Sequence, residues 1–212
     1  MASSSGDRVD LLAAGLGRRP VSEESALAIP ADATLVRAAR DGDRGAFGIL
    51  YERYAHMVHG VLLAKVPVCE VDDLVQDAFM KALRRLSMLR ETKSFGAWLA
   101  AIARNLANDY HRHSVSEDHL TDDPSREDIN HGNTSEGHED PASTILNAVR
   151  SLPNAYRETL ILRLVEGMTG PEIAARMGMT HGSVRVNLHR GMEQLRAKLS
   201  TNSSSHGPLE IR

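Results

Sequence analysis

Between Thr180 and Arg190 the chain sets the hydrogen-bonding side chains Thr180, Ser183, Arg185, Asn187, His189 and Arg190 around the apolar Val184 and Leu188. Arg and Asn carry paired hydrogen-bonding groups that match the major-groove edges of guanine and adenine, and hydroxyls reach phosphate oxygens. The chemistry open to such a set is recognition of a nucleic-acid duplex. The residues before it are those a positioning scaffold needs. Pro171 suits the first turn of a helix, Ala174 is small where a second helix must cross, and Gly178 admits a left-handed turn between the two. Ile173, Met177, Met179, Val184 and Leu188 then share a core. An ordinary helical hairpin with a basic solvated face has a similar apolar set, but the spacing of Ala174 and Gly178 favours the helix-turn-helix.

Two further groups stand out. Asp72, Asp73, Gln76 and Asp77 make an acidic cluster at an expected helix start, where carboxylates meet the positive end of the helix dipole and Asp72 would cap. Clustered carboxylates repel each other, and a basic partner helix would relieve that repulsion; solvated capping is the plainer use. Arg90, Lys93, Arg104, Asn105, Asn108 and Arg112 form a looser basic and amide set farther along. Phe95 and Trp98 could stack on bases, yet their spacing with Leu99 and Ile102 places them in a core. Catalytic signatures are missing: the chain has no Gly-rich phosphate loop, HExxH or GxSxG. The ten histidines are scattered, and His111, His113, His119, His131 and His138 lack ligand spacing. The expectation is no enzyme, no metal and no cofactor.

The elements that must hold these groups read as helices throughout. Leu35, Val36 and Ala39, then Phe47, Leu50, Tyr51, Tyr54, Val58, Val61 and Leu62, give two helices broken at Asp41-Gly42-Asp43. Lys65 to Val71 reads as a loop by its proline. A helix from Asp72 carries Leu74, Val75, Ala78, Phe79, Ala82, Leu83 and Leu86, and another runs from an Ser94 N-cap to about His113. Later, Leu146, Val149 and Leu152 mark a helix ended by Pro153, and Asn154 to Glu166 one stopped by Gly167. Two shorter helices carry the helix-turn-helix.

Charge divides the 212 residues as the periodicity does. From Ser114 to Pro141 nine acids face one arginine, whereas Ala142 to Leu199 holds eight Lys/Arg against four acids. The net charge of −3 averages over unlike parts. The boundaries expected are an N-terminal extension over 1–31 without sustained period apart from a short helix at Val9 to Leu16, a helical domain over 32–113, an acidic linker over 114–141, a second helical domain over 142–199, and a tail over 200–212. One cysteine, Cys69, fits a reducing cytoplasm, and no apolar run or signal peptide indicates membrane insertion or export.

Together these segments resemble the extracytoplasmic-function (ECF) sigma factors of the sigma-70 family, which carry regions 2 and 4 alone. The likeness spans roughly Asp32 to Leu199. Asp72-Asp73-Leu74-Val75-Gln76-Asp77-Ala78-Phe79 is similar to region 2.2, and Ser94 to Ala107 is similar to regions 2.3 and 2.4. Leu152 to Glu158 and the helix-turn-helix through Gly191 resemble region 4. The resemblance implies an all-α fold of two domains and a protein that joins core RNA polymerase and opens promoters. Asp72, Asp73, Gln76 and Asp77 would dock on the β′ clamp helices, with the β flap as a further polymerase contact. Arg90, Lys93, Arg104, Asn105, Asn108 and Arg112 would grip the single strand of the −10 element. Thr180, Ser183, Arg185, Asn187, His189 and Arg190 would face the −35 duplex. Asn187 and Met192 stand where many relatives have Arg, and Val186 where a small polar residue is frequent, which weakens the phosphate grip and predicts low affinity for free DNA. The acidic linker would lie in the channel for nucleic acid, imitating a transcript; a solubilising spacer is its other reading. An anti-sigma factor is an expected partner, and the location expected is the cytoplasm, at the nucleoid when in holoenzyme. Two alternatives stay open here: a ligand-sensing dimeric regulator with palindromic operators, and a pure protein-interaction module.

Overall fold

The computed structural model describes residues 31–118 and 141–205, and all regular structure among them is helical. Eight α-helices follow in order: α1 Asp32–Arg40, α2 Arg44–Leu63, α3 Val68–Arg85, α4 Phe95–Asp118, α5 Pro141–Arg150, α6 Asn154–Leu164, α7 Gly170–Met177 and α8 His181–Ser205. Short 3-10 turns at Leu86–Met88 and Thr92–Ser94 connect α3 to α4. The first break falls where the sequence puts it. Gly42 takes φ 97°, and Asp43 then caps α2 by accepting a hydrogen bond from the Ala46 amide.

Helices α1 to α4 form an N-terminal bundle, and α5 to α8 a C-terminal one. Leu50, Met57, Val58, Phe95, Leu99 and Ala103 are fully buried in the first. Phe95 packs against Tyr54 at 5.2 Å and Trp98 at 6.0 Å between ring centroids. Phe95 is thus a core residue, with Trp98 partly buried beside it. In the second bundle Leu152, Leu160, Ile161, Leu162 and Ile173 are buried.

Several boundaries differ from the sequence expectation. Helix α3 begins at Val68, because Pro67 itself serves as the extended N-cap, with φ −54° and ψ 149°. Glu70 is the acid of its first turn, so Asp72 and Asp73 sit a turn further in and do not cap it. Helix α4 runs past His113 to Asp118, five residues into the acidic stretch. Helix α6 stops at Leu164, two residues before Glu166, and Gly167 follows at φ 66°. Helix α8 is long and continues to Ser205, since a helix once nucleated extends at little cost per residue through polar sequence. The short helix expected at Val9 to Leu16, most of the acidic linker and the end of the tail lie outside the described residues.

The two bundles pack on each other, with α6 and α7 against α2, and α7 against α4. A Cβ on Gly60 of α2 would stand 2.7 Å from Leu162 Cδ2 and 2.9 Å from Glu166 Cγ, so glycine sets how closely α6 approaches. Arg150 donates to the Leu63 and Val66 carbonyls at 3.0 and 2.8 Å, and Arg157 to the Ala64 carbonyl at 3.3 Å. The unpaired carbonyls at the end of α2 are therefore satisfied by guanidinium groups from the second bundle.

Candidate nucleic-acid interface

Helix α7 opens on a capping box. The Thr169 hydroxyl accepts from the Glu172 amide at 3.3 Å, and the Glu172 carboxylate accepts from the Thr169 amide at 2.8 Å. The Thr169 amide and then its hydroxyl, which also donates to that carboxylate at 2.8 Å, hold the Glu172 carboxyl below its usual range. Gly178, at φ 66° and ψ 32°, makes the left-handed turn, and Val184 and Ala174 are buried between α7 and α8. This is the helix-turn-helix expected from Ala174 and Gly178.

The six residues, Thr180 just ahead of α8 and the other five on it, divide into two kinds. Thr180 and Ser183 are exposed but already engaged: the Thr180 hydroxyl accepts from the Ser183 amide at 3.1 Å and pairs with the Ser183 hydroxyl at 2.8 Å. They cap the helix whose other residues face outward. Arg185, His189 and Arg190 are exposed, and Asn187 is half-buried. His189 lies 3.5 Å from Glu193 one turn on, a loose surface pair. Between α7 and α8, Gly170, Pro171, His181, Val184, Arg185 and Leu188 line a mainly apolar hollow of about 260 Å³.

In the first bundle, Asn105, Asn108 and Arg112 project from α4 into a groove of about 300 Å³. Lys81 and Arg85 of α3 line its other wall, with Ile102 and Asp109 completing it. Arg112 is hydrogen-bonded to Asp109. Lys81 and Arg85 are additions that the sequence reading missed. Their spacing of four residues was visible as one helical stripe, but only the packing of α4 shows that the stripe faces Asn105 and Asn108. Arg90 and Lys93 stand exposed in the α3–α4 connection, outside the groove. Asp72, Asp73, Gln76 and Asp77 are all exposed on α3.

Arg104 goes elsewhere. Its Nε donates to both Glu158 oxygens at 3.1 and 3.0 Å and its Nη2 to Oε2 at 2.9 Å, a two-pronged pair with α6 of the other bundle. Nearby, Glu166 accepts from His59 at 2.5 Å and His56 at 3.0 Å. The Glu166 hydrogen bond raises the His59 pKa above its ordinary value although burial opposes it. Burial acts to raise Glu166, but the two imidazole hydrogen bonds outweigh it and its pKa falls.

Comparison with known proteins settles the family. Residues 50–116 match Sigma-70 region 2, and residues 143–195 match Sigma-70 region 4. The ECF RNA polymerase sigma-E factor of Escherichia coli K12 is 33% identical over 181 residues, 79% of this chain and 94% of that one. The chain belongs to the sigma-70 family of sigma factors. The sigma-E factor of Haemophilus influenzae is similar at 30% identity over 79% of this chain and 95% of its own. Among solved structures, that of CnrH in complex with the cytosolic domain of CnrY aligns at a TM-score of 0.54 with 26% identity, covering 81% of this chain and 99% of that one. The chain is thus an all-α, ECF-type sigma factor, a transcription-initiation protein that serves RNA polymerase at promoters. No helix among the described residues is long and apolar enough to cross a membrane.

Proposed function

We propose that the two bundles read two promoter elements, with region 4 over 142–199 binding the −35 duplex and region 2 over 32–113 binding the −10 single strand. The observation that carries this is the exposed set Arg185, His189 and Arg190 on a helix fixed by a capped partner helix and a left-handed glycine turn. Those residues lie on the face a recognition helix presents to the major groove. In region 2 the groove between α3 and α4 pairs cations with amides: Lys81 and Arg85 suit phosphates, and Asn105 and Asn108 suit the edges of unstacked bases. Arg90 and Lys93 extend the basic surface toward the α3–α4 connection.

The acidic face Asp72, Asp73, Gln76 and Asp77 docks on the β′ clamp helices of core polymerase, and region 4 meets the β flap. The protein works without catalysis of its own, in the cytoplasm and at the nucleoid when in holoenzyme, and an anti-sigma factor is its regulator. The segments 1–31, 114–141 and 200–212 are an extension, a linker and a tail to these two domains.

Transcription initiation on a promoter library tests the assignment, using core polymerase with the native chain, Arg190→Ala and Asp73→Ala. The expected result is template-selective initiation by the native chain. Arg190→Ala should lose promoter preference, and Asp73→Ala should lose affinity for core polymerase. Tight duplex binding by the chain alone, unaffected by polymerase, would instead identify a conventional helix-turn-helix regulator.

A further inference from the structure

We propose that Val186 reads the C5-methyl group of a thymine in the −35 duplex, so that the centre of the recognition face is apolar and sets base preference. This rests on the reading of α8 as the helix that enters the major groove. At about 100° per residue, Val186 stands about 140–180° around the helix from Val184, Gly191 and Leu195, which α8 buries. It is therefore the outermost point of the helix. Ser183 and Arg190 flank it within about 60° on one side, and Gly182 and His189 within about 60° on the other. Among the described residues it is the one large apolar side chain of α8 that is exposed, at 45%.

Valine at this place serves neither core nor helix. A β-branched residue has low helix propensity, and methyl groups left in water gain nothing. The thymine methyl is the apolar feature of a major-groove edge, and it answers such a side chain. Polar neighbours do not compete for it. The Ser183 hydroxyl pairs with Thr180 at 2.8 Å, and His189 lies 3.5 Å from Glu193. A valine reaches only a short way from its helix, so contact requires the backbone to lie close to the base pair. Gly182, one turn earlier on the same face, gives that approach. A Cβ there would meet only Thr180 Oγ1 at 3.9 Å, so packing inside the chain does not require glycine, and the bare backbone is turned to the groove. Glu193 lies on the same line two turns beyond Val186, where its carboxylate repels phosphates and ends the read stretch. Arg190 is about 6 Å along the helix from Val186. With base pairs about 3.4 Å apart, the guanine suited to Arg190 falls about two base pairs from the thymine.

The test is template selection by holoenzyme, using core polymerase with the full native chain, Val186→Ala or Arg190→Ala, on duplexes randomised across the −35 region. The native holoenzyme should enrich a thymine about two base pairs from a guanine. Deoxyuridine at that thymine removes the methyl alone and should lower initiation about fourfold, the factor for one buried methyl. Val186→Ala should lose the thymine preference, keep the guanine and be indifferent to deoxyuridine. If deoxyuridine is neutral with the native chain, or its penalty survives in Val186→Ala, the assignment of Val186 is overturned, while loss of the guanine in Arg190→Ala keeps α8 on the −35 duplex. Weaker binding of Val186→Ala to core polymerase at unchanged base preference would make this face a protein contact and overturn the assignment equally. A selected element that both variants leave unchanged would remove α8 from the −35 duplex, and the underlying reading with it.

Discussion

Helices α4 and α8 both carry residues proposed to bind DNA, yet they are held in opposite ways. Helix α8 is anchored along one side by Val184, Leu195 and the close approach of Gly191 to Leu160, and shows Arg185, His189 and Arg190 to solvent. Helix α4 is packed on α2, α3 and α7, and one of its arginines is spent on another helix. The first is a presented surface, the second a partly covered one. A reading surface that is also an internal interface can be controlled by the chain itself, and a presented surface needs a partner to cover it.

Substitutions can break that contrast, beginning with the largest effect. Phe95→Ala empties a fully buried ring site in α4 and should cost about 3–5 kcal/mol, whereas Arg190→Ala on α8 should stay within about 0.5 kcal/mol. Equilibrium urea unfolding of the two variants measures the difference, and equal losses would mean that α8 is structural rather than presented. Gly178→Ala should cost about 1–2 kcal/mol from its left-handed backbone alone. Its new Cβ would also stand 2.8 Å from Ala97 Cβ on α4, so the distance between labels on Cys69 and on Gln194→Cys should grow as well. Thr169→Ala removes half of the capping box and should cost about 1 kcal/mol, seen as faster amide exchange confined to the start of α7.

The smallest effect is with pH, and its sign follows from the two shifts. His59 has a raised pKa, so its contribution is complete below about 6.5 and is lost as pH climbs through the raised value. Glu166 has a lowered pKa, so its contribution is present above 4.5 and is lost only as pH falls through that lowered value. His56 and Asp72 are the other charged groups acting on this pair. The contact between the bundles should therefore be tightest in mildly acidic solution and loosen toward alkaline pH. A label-distance titration should show this in the native chain and flatten in His59→Gln.

How far the sequence could be read depended on the range of the interactions concerned. The helix-turn-helix was legible because its requirements are local: a proline in a first turn, a small residue at a crossing, a glycine with positive φ. The start of α3 was misplaced because a proline ends one kind of segment and begins another, and only the geometry at Pro67 distinguishes them. Lys81 and Arg85 escaped because a helical stripe does not say which neighbour it faces. The partner of Arg104 was invisible for the strongest reason, since Glu158 lies 54 residues away beyond the acidic stretch. Burial of a carboxylate against an arginine leaves no periodic signal.

The arginine caps at the end of α2 bear on how the chain is made. Arg150 follows Leu63, whose carbonyl it covers, by 87 residues. At ribosomal rates of about 5–20 residues per second, that interval is roughly 4–17 s. For that time the nascent α2 has left the ribosome with its final carbonyls answered only by water. The end of α2 is therefore completed by the synthesis of the second bundle, and a chain truncated before Arg150 should keep α2 but fray at Lys65 and Val66.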